Sequence, residues 1–552
     1  MNLVLTNSRH SGMSKPWPSL PRTLSNSLDS FLNNALLRAF AAASPRISPP
    51  PTPWRSVLIH GSVLVLWIGL FVMAFRHGGT MSMHGDDVWS WSVGVVYVLY
   101  DTVLLLFVAW HTRSILQRPA ASIQSAAFSR STRSAATAAL ATASSAPVPR
   151  ASLGVIVASH NEAAVLPLTL AALLGQSDLP DRIVIADDGS TDGTAELLVA
   201  HYGLIAPEPG QLSAASALHP TLCWLRLPHG GKAVALNAAI LCIDTETVLT
   251  VDGDTLLDAG AIAAVRHAFS VEPELVAATG VITPVCSRTL SGRCFQWFQT
   301  YEYIRNFLSR YAWMRVDGLL LISGAFAGFR LDAVRAVGGF DTDCMVEDYE
   351  LIHRLHRYAQ AHGLPWTVRV LGDAQAHTDA PSGVMPFLRQ RRRWFGGFLQ
   401  TQYWYRAMVG DRRYGWLGML MLPVKAIDTL QPLYGLAAFF LLLTYLVRGN
   451  FGVLAPVAGV IGAKIVLDLV FHLWSVHLYR RWIGQHGEAN MGQALLAALV
   501  EPFTFQILRH AGAAWGWWTF LTGHGTWGRQ VRVGLTVKND DEERAVSARG
   551  VD

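Results

Sequence analysis

The chain alternates between long apolar blocks and one extended polar middle. Apolar runs cover Ser56 to Phe75 and Trp89 to Trp110, separated by a short loop carrying Asp86 and Asp87. Each is long enough to cross a bilayer as a helix, so residues 56–110 read as a transmembrane hairpin. From Ser152 to about residue 385 the pattern changes. Short β-branched runs, Gly154 to Ser159, Ile183 to Ala186 and Val248 to Val251, alternate there with Ala/Leu-rich helical stretches. Strand and helix in alternation predict an α/β domain with a mainly parallel sheet, which binds ligands beyond the C-terminal ends of its strands. Beyond Trp394 the apolar runs return at Tyr414 to Pro423, Leu430 to Val447, Val453 to Tyr479, and Met491 to about Thr522, the last broken by Pro502 and Arg509. That last stretch reads as a re-entrant hairpin or as two short spans.

The resulting division is a disordered cytosolic tail over 1–55, the hairpin over 56–110, and an Ala/Ser/Arg-rich linker over 111–150. A cytosolic catalytic-type domain over 151–400, interfacial and transmembrane helices over 401–530, and a polar tail over 531–552 complete it. Composition agrees: of 552 residues 51% are hydrophobic and only 15% charged, which excludes a disordered or purely soluble protein. Arginines at 113, 118, 130, 133 and 150, with no acid between them, place both ends of the hairpin inside the cell. The protein is therefore expected in the inner (plasma) membrane, multi-pass, with the middle domain cytosolic. A formal charge of +5 is too small to argue for nucleic acid. Five cysteines without a CxxC pair point to reduced thiols, not a disulfide framework.

Four motifs carry candidate chemistry. The strand ending at Ala186 runs into Asp187-Asp188-Gly189, where carboxylates at a strand end can accept hydrogen bonds from a base N–H or a ribose hydroxyl. Alone it would read equally well as an Asp-rich turn. The strand ending at Val251 runs into Asp252-Gly253-Asp254, whose alternate residues project to one side and can converge on a hard cation. Glu347-Asp348 opens a helical stretch and offers Asp348 as a general base, against the alternative of an acidic helix start. Gln390-Arg391-Arg392-Arg393-Trp394 can clamp a diphosphate and stack on a sugar, or anchor the chain at a membrane surface. Lys232, after Gly230-Gly231, could contact a diphosphate, although the run lacks the remaining residues of a P-loop.

In this order, between membrane spans, the motifs resemble the processive family 2 glycosyltransferases: cellulose, hyaluronan and chitin synthases, and above all poly-N-acetylglucosamine synthases. The matches Ser159-His160-Asn161-Glu162, Ser323-Gly324-Ala325 and Thr378-Asp379-Ala380-Pro381 extend the likeness over roughly residues 150–530. The resemblance implies a GT-A-like α/β domain (Rossmann-like) inserted between transmembrane helices. It implies a UDP-sugar donor, most simply UDP-N-acetylglucosamine, and Mg²⁺ or Mn²⁺ as cofactor. Asn161, Glu162, Asp187, Asp188, Lys232, Asp252, Gln390, Arg393 and Trp394 would bind the nucleotide sugar, and Asp252 with Asp254 the metal. Asp348, with Glu347 beside it, would be catalytic, and Ser323, Gly324 and Ala325 would meet the acceptor, a polysaccharide or glycolipid. The implied reaction is an inverting β-transfer to a growing chain, with export and a small accessory membrane subunit as open additions. A UDP-glucose-dependent glucan synthase and a single-sugar transferase acting on a lipid remain the rival readings. A transporter or scaffold fits less well, because the spans show no inverted repeat.

Overall fold

The computed structural model describes residues 26–77, 92–117, 149–449, 454–484, 490–523 and Leu535. The loop with Asp86 and Asp87, most of the Ala/Ser linker and most of the C-terminal tail lie outside these residues.

The polar middle folds around one nine-stranded sheet in the order β3-β4-β2-β1-β5-β8-β7-β9-β6. The strands are β1 Leu153–Ser159, β2 Arg182–Asp188, β3 Gln211–Leu212, β4 Leu222–Leu227, β5 Thr247–Asp252, β6 Thr255–Leu257, β7 Leu275–Val285, β8 Phe326–Arg330 and β9 Thr367–Asp379. Val155, Val157, Ile183, Ile185, Val248 and Val251 are fully or almost fully buried. Runs buried on both faces need helices above and below, which is why strand and helix alternate. The helices Leu166–Leu174, Thr194–Tyr202, Lys232–Cys242 and Ala261–Val271 supply that cover.

β4, β2, β1 and β5 pair in parallel, β8 runs against both β5 and β7, and β7 pairs in parallel with β9. Six strands thus point one way and β3, β6 and β8 point back: a mixed, mainly parallel GT-A-like sheet. Register brings the strand ends together. Ala158 pairs with Asp252 and Ser159 with Asp187, so the segments after β1, β2 and β5 leave the sheet at one edge. Because β8 is antiparallel, its first residue Phe326 lies opposite Val251, which delivers Ser323 to Ala325 to that same edge. At the far side Thr255 of β6 faces Thr378 of β9, bringing Asp379 to the Asp252–Asp254 turn.

Among the described residues three helices, at Trp54–Met73, Leu417–Val447 and Val457–Ile483, are long and apolar enough to cross a membrane. A fourth span results if the pair Met491–Phe503 and Phe505–Thr522, bent by 51°, is counted as one. The bend falls where Pro502 interrupts the backbone ladder. The second arm of the expected hairpin is a helix over Ser92–Thr112. Leu58, Val65, Leu99, Val103, Val466 and Val470 point outward and exposed, as lipid-facing side chains would. Polar ties join the helices: Tyr100 donates to Asp428 at 2.6 Å, and the Lys464 ammonium reaches Asp101 at 2.6 Å besides its neighbour Asp468. Partly buried polar ties of this kind satisfy groups that hydrocarbon cannot.

One expectation is corrected. Within the tail read as disordered, a helix runs over Asn26–Ala43, and it and the segment after it hold to the catalytic-type domain through buried residues between positions 36 and 45. Leu36, Phe40 and Ala43 of this helix are buried, at i, i+4 and i+7, on one face. Phe40 seats so closely on Gly338 (φ +87°) that a Cβ there would fall 2.1 Å from the Phe40 nitrogen. Arg46 then locks the segment by a two-bond ion pair with Asp341, at 2.8 and 2.9 Å. Residues 1–25 lie outside the described residues.

Candidate active site

The centre of the edge is an ionic cluster. Lys232 stands at the start of its helix and places its ammonium 2.5 Å from Asp252 and 3.5 Å from Glu347. Burial alone would pull the ammonium down, but Asp252 and Glu347 outweigh it and hold it well above its usual range. Lys232 is thus a fixed positive charge between two of the acidic motifs.

Asp188 explains why Lys232 arrives there. Its carboxylate accepts from the backbone N–H of Gly230 at 2.7 Å and of Gly231 at 3.0 Å, and bonds His229 at 2.9 Å. The second acid of the first motif therefore builds the loop that presents the lysine. Asp187 is spent similarly, accepting from Ser190 N–H at 2.9 Å and the Trp224 indole at 3.3 Å. Asn161, in left-handed backbone (φ 56°), accepts from Thr191 N–H at 2.7 Å and ties the end of β1 to the turn after β2. His160 adds a ring stacked on His229, centroids 4.4 Å apart. These residues gather at the strand ends, and sequence had given no role to His160 or His229.

Glu162 is buried under the Asp252–Asp254 turn. A Cβ at Gly253 would meet its Oε2 at 1.7 Å, so the middle residue of that motif must be glycine for the two segments to coexist. The Gly253 carbonyl accepts from Thr169 at 2.7 Å, which fixes the turn from beneath. Asp254 is only 6% exposed. Burial, then the charges of Asp252 and Asp379, push its carboxyl well above the usual carboxylate range, with Lys232 pulling the other way. Three carboxylates facing one ammonium leave an excess of negative charge. A divalent cation with oxygen ligands fits that excess, and Asp252 with Asp254 could hold it. Asp379 was absent from the expected ligand set; its signal was the Thr-Asp-Ala-Pro run at the end of β9.

Glu347 and Asp348 open the helix Glu347–His362. Burial raises the Glu347 carboxyl, Lys232 opposes, and Asp348 adds to the rise. Asp348 accepts from the Gly324 backbone N–H at 2.6 Å, while Asp252 N–H donates to the Ala325 carbonyl at 3.3 Å. The Ser323–Ala325 segment thus bridges the two acidic motifs, with Ser323 N–H held by the Thr279 hydroxyl at 3.3 Å.

In the fourth motif the arginines divide their work. Arg393 donates to the Met345 carbonyl at 3.2 Å and lies within electrostatic reach of Glu347. Arg391, expected to share in clamping a diphosphate, is buried and bound to Glu302 at 2.6 Å, its guanidinium 4.3 Å from the centre of the Trp394 ring. That contact orients the indole. The Gln390 Oε1 is buried without a hydrogen-bond partner among the described residues. Arg310 is a further cation that sequence had missed. Burial pulls its guanidinium down to about 10 while Tyr303 and Asp348 resist, and its Nε and Nη1 have no partner among the described residues.

Comparison with known proteins fits this geometry. Residues 154–338 match the family described as "Glycosyl transferase family 2", and residues 247–455 match "Glycosyl transferase family group 2". Poly-beta-1,6-N-acetyl-D-glucosamine synthase from Staphylococcus epidermidis is 27% identical over 244 residues, 44% of this chain and 53% of that protein. The enzyme of the same name from Staphylococcus aureus (strain COL) is 29% identical over 203 residues, 36% and 45% respectively. The chain spans about half the length of the curated relatives it matches. A mannosyltransferase from Pyrobaculum calidifontis, solved in complex with GDP-Man and Mn²⁺, aligns at TM-score 0.47 and 18% identity over 75% of this chain and 99% of its own. With the two family matches together running over residues 154–455, more than half of its length, this chain belongs to the family 2 glycosyltransferases.

Proposed function

We propose that the protein is a membrane-embedded inverting glycosyltransferase that adds N-acetylglucosamine from UDP-N-acetylglucosamine to a growing polysaccharide. The observation that carries this reading is the single edge at which Lys232, Asp252, Glu347 and Asp348 meet the Ser323–Ala325 segment. The names of the staphylococcal relatives support the choice of sugar and product.

In this reading Asn161, Glu162, Asp187 and Asp188 at the strand ends receive the nucleoside. Asp252 and Asp254 would hold Mg²⁺ or Mn²⁺, which supplies positive charge for the departing diphosphate. Lys232 and Arg393 add fixed charge on the same side, and Glu347 keeps Lys232 in place. Asp348 takes the proton from an acceptor hydroxyl whose oxygen attacks the anomeric carbon, the bond to UDP breaking with its electron pair on the diphosphate. Gln390, whose Oε1 has no hydrogen-bond partner among the described residues, and Trp394 would meet the sugar and the chain. The membrane helices anchor the domain at the inner face of the plasma membrane.

UDP release by purified membranes, offered UDP-N-acetylglucosamine or UDP-glucose with Mg²⁺ or Mn²⁺ and with products sized, tests the reading. A long product from UDP-N-acetylglucosamine that Asp348→Asn cannot make is expected. A long product from UDP-glucose alone would reassign the donor, and a short lipid-extractable product would reassign the acceptor.

A further inference from the structure

At the C-terminal end of the helix whose first turn carries Asp348 lies a cleft of about 620 Å³ that the proposed reaction does not use. The buried N-terminal helix forms one wall with Ala39, Ala42 and Ala43, and the helix Glu347–His362 forms another with Arg357 and His362. Its volume lies within the range of small-ligand sites.

The lining is selective. Arg357, Arg413 and His362 contribute basic groups, and among the described residues no carboxylate lines it. Arg413 is held by Asp411 at 2.7 Å, but Asp411 also binds Arg55 at 2.8 Å, so one acid serves two arginines and the surroundings stay positive. Arg357 spends a donor on the Ala43 carbonyl, which ties the two walls together. The floor is alanine, and one rim is a stack of flat rings: His362 on Tyr358 at 3.9 Å and Tyr358 on Trp366 at 5.4 Å. Cationic groups above an apolar floor suit a ligand with an anionic head and an apolar body.

Position narrows the source. Pro50 and Tyr414 line the cleft just ahead of the points where two candidate spans begin, at Trp54 and Leu417. Trp54 and Trp416, 76% and 58% exposed, stand at the starts of those two spans, as tryptophans at a membrane surface do. With both spans in a bilayer, lipid headgroups would lie beside the cleft.

We propose that this cleft binds a phosphate-bearing anion, in the membrane the headgroup of an anionic phospholipid, which ties the N-terminal helix to the helix carrying Asp348. Phosphate oxygens would face Arg357 and Arg413, and the apolar body would lie over the alanines.

The test is independent of the sugar and of catalysis. Native mass spectrometry of the full chain in neutral detergent, with added dioleoylphosphatidylglycerol, reads retained lipid. The wild type and Asp252→Asn should each keep a lipid molecule. Arg357→Gln should retain it about tenfold less or weaker still, as loss of a charge-assisted phosphate contact implies. Ala361→Trp, which fills the cleft from an exposed lining position, guards against a folding effect of the arginine change and should also lose it. Displacement of the lipid by inorganic phosphate would support a site read through phosphate alone, and lipid retained against phosphate would support the lipid headgroup. Retention equal in the wild type and both cleft variants, or none of either probe in the wild type, would overturn the proposal.

Discussion

The backbone N–H of Gly324 donates to the Asp348 carboxylate at 2.6 Å, and a Cβ at position 324 would stand 2.9 Å from that same oxygen. The acceptor-side segment and the proposed base are therefore in direct contact, and the contact requires glycine. The other oxygen accepts from the Tyr349 N–H at 2.8 Å, so both oxygens are fixed by backbone donors and each keeps a further lone pair for a substrate hydroxyl.

Gly324→Ala is expected to push Asp348 aside while leaving the sheet intact. Misplacement of a base by about 1 Å costs about 10²-fold in turnover. Asp348→Asn, which keeps the shape and removes the basicity, should lower transfer by about 10² to 10⁴-fold. UDP binding followed by calorimetry should survive in both. Loss of UDP binding in parallel with turnover would place Asp348 in donor binding instead.

Gly253→Ala tests the other close approach. Its Cβ would overlap the Glu162 carboxylate, whose surroundings are packed and cannot yield freely. Overpacking of this kind costs about 1–3 kcal/mol. The expected result is a lower melting temperature together with weakened Mn²⁺-dependent donor binding, because the turn that carries Asp252 and Asp254 must move. Gly253→Ala combined with Glu162→Ala should recover stability, a recovery that would not occur if the turn failed for another reason.

Arg310, within electrostatic reach of Asp348 and so of the base that the acceptor hydroxyl would approach, offers a sharper test. A buried guanidinium with two unmatched donors is costly unless a ligand meets it. Removing a hydrogen bond to a charged group costs about 1.5–3 kcal/mol. Arg310→Gln should therefore raise the KM for an oligosaccharide acceptor roughly ten- to a hundredfold, with KM for the donor unchanged. An unchanged acceptor KM would make Arg310 purely structural.

The strand ends were readable because β-branched runs stop at acids: Val251 before Asp252 and Ala186 before Asp187 leave little choice of where the sheet gives way to the site. What those acids do was less readable. Asp188 looked like a group awaiting a nucleoside, yet it holds the backbone of Gly230 and Gly231, a contact spanning more than forty residues that no local pattern reveals. Arg391 likewise found Glu302 from 89 residues away. The helix over Asn26–Ala43 escaped because the tail on either side of it is rich in Ser, Asn and Pro, which hides one short apolar stripe. Its place in the fold comes from Phe40 docking on Gly338 and from Arg46, just beyond its end, pairing with Asp341, contacts that no local pattern shows.

The carboxylate group around the Asp252–Asp254 turn has a pH signature whose sign follows from Asp254. Burial and the charges of Asp252 and Asp379 raise its folded-state pKa above the reference 3.8. A carboxyl raised on folding binds its proton more tightly in the native chain than in the unfolded one. Its contribution to stability is therefore present below the unfolded value and is lost as pH rises through the folded value. A divalent cation needs the ionised form, so it must compete with that proton at low pH and binds unopposed above the raised value. Thermal stabilisation by Mn²⁺ should accordingly grow from acidic to mildly alkaline buffer. Asp379→Asn removes one of the charges that hold the proton on Asp254, so the midpoint of that growth should shift to lower pH. Asp254→Asn should flatten the dependence. A Mn²⁺ effect that ignores pH in the wild type would show that the cation, if bound, does not rely on Asp254.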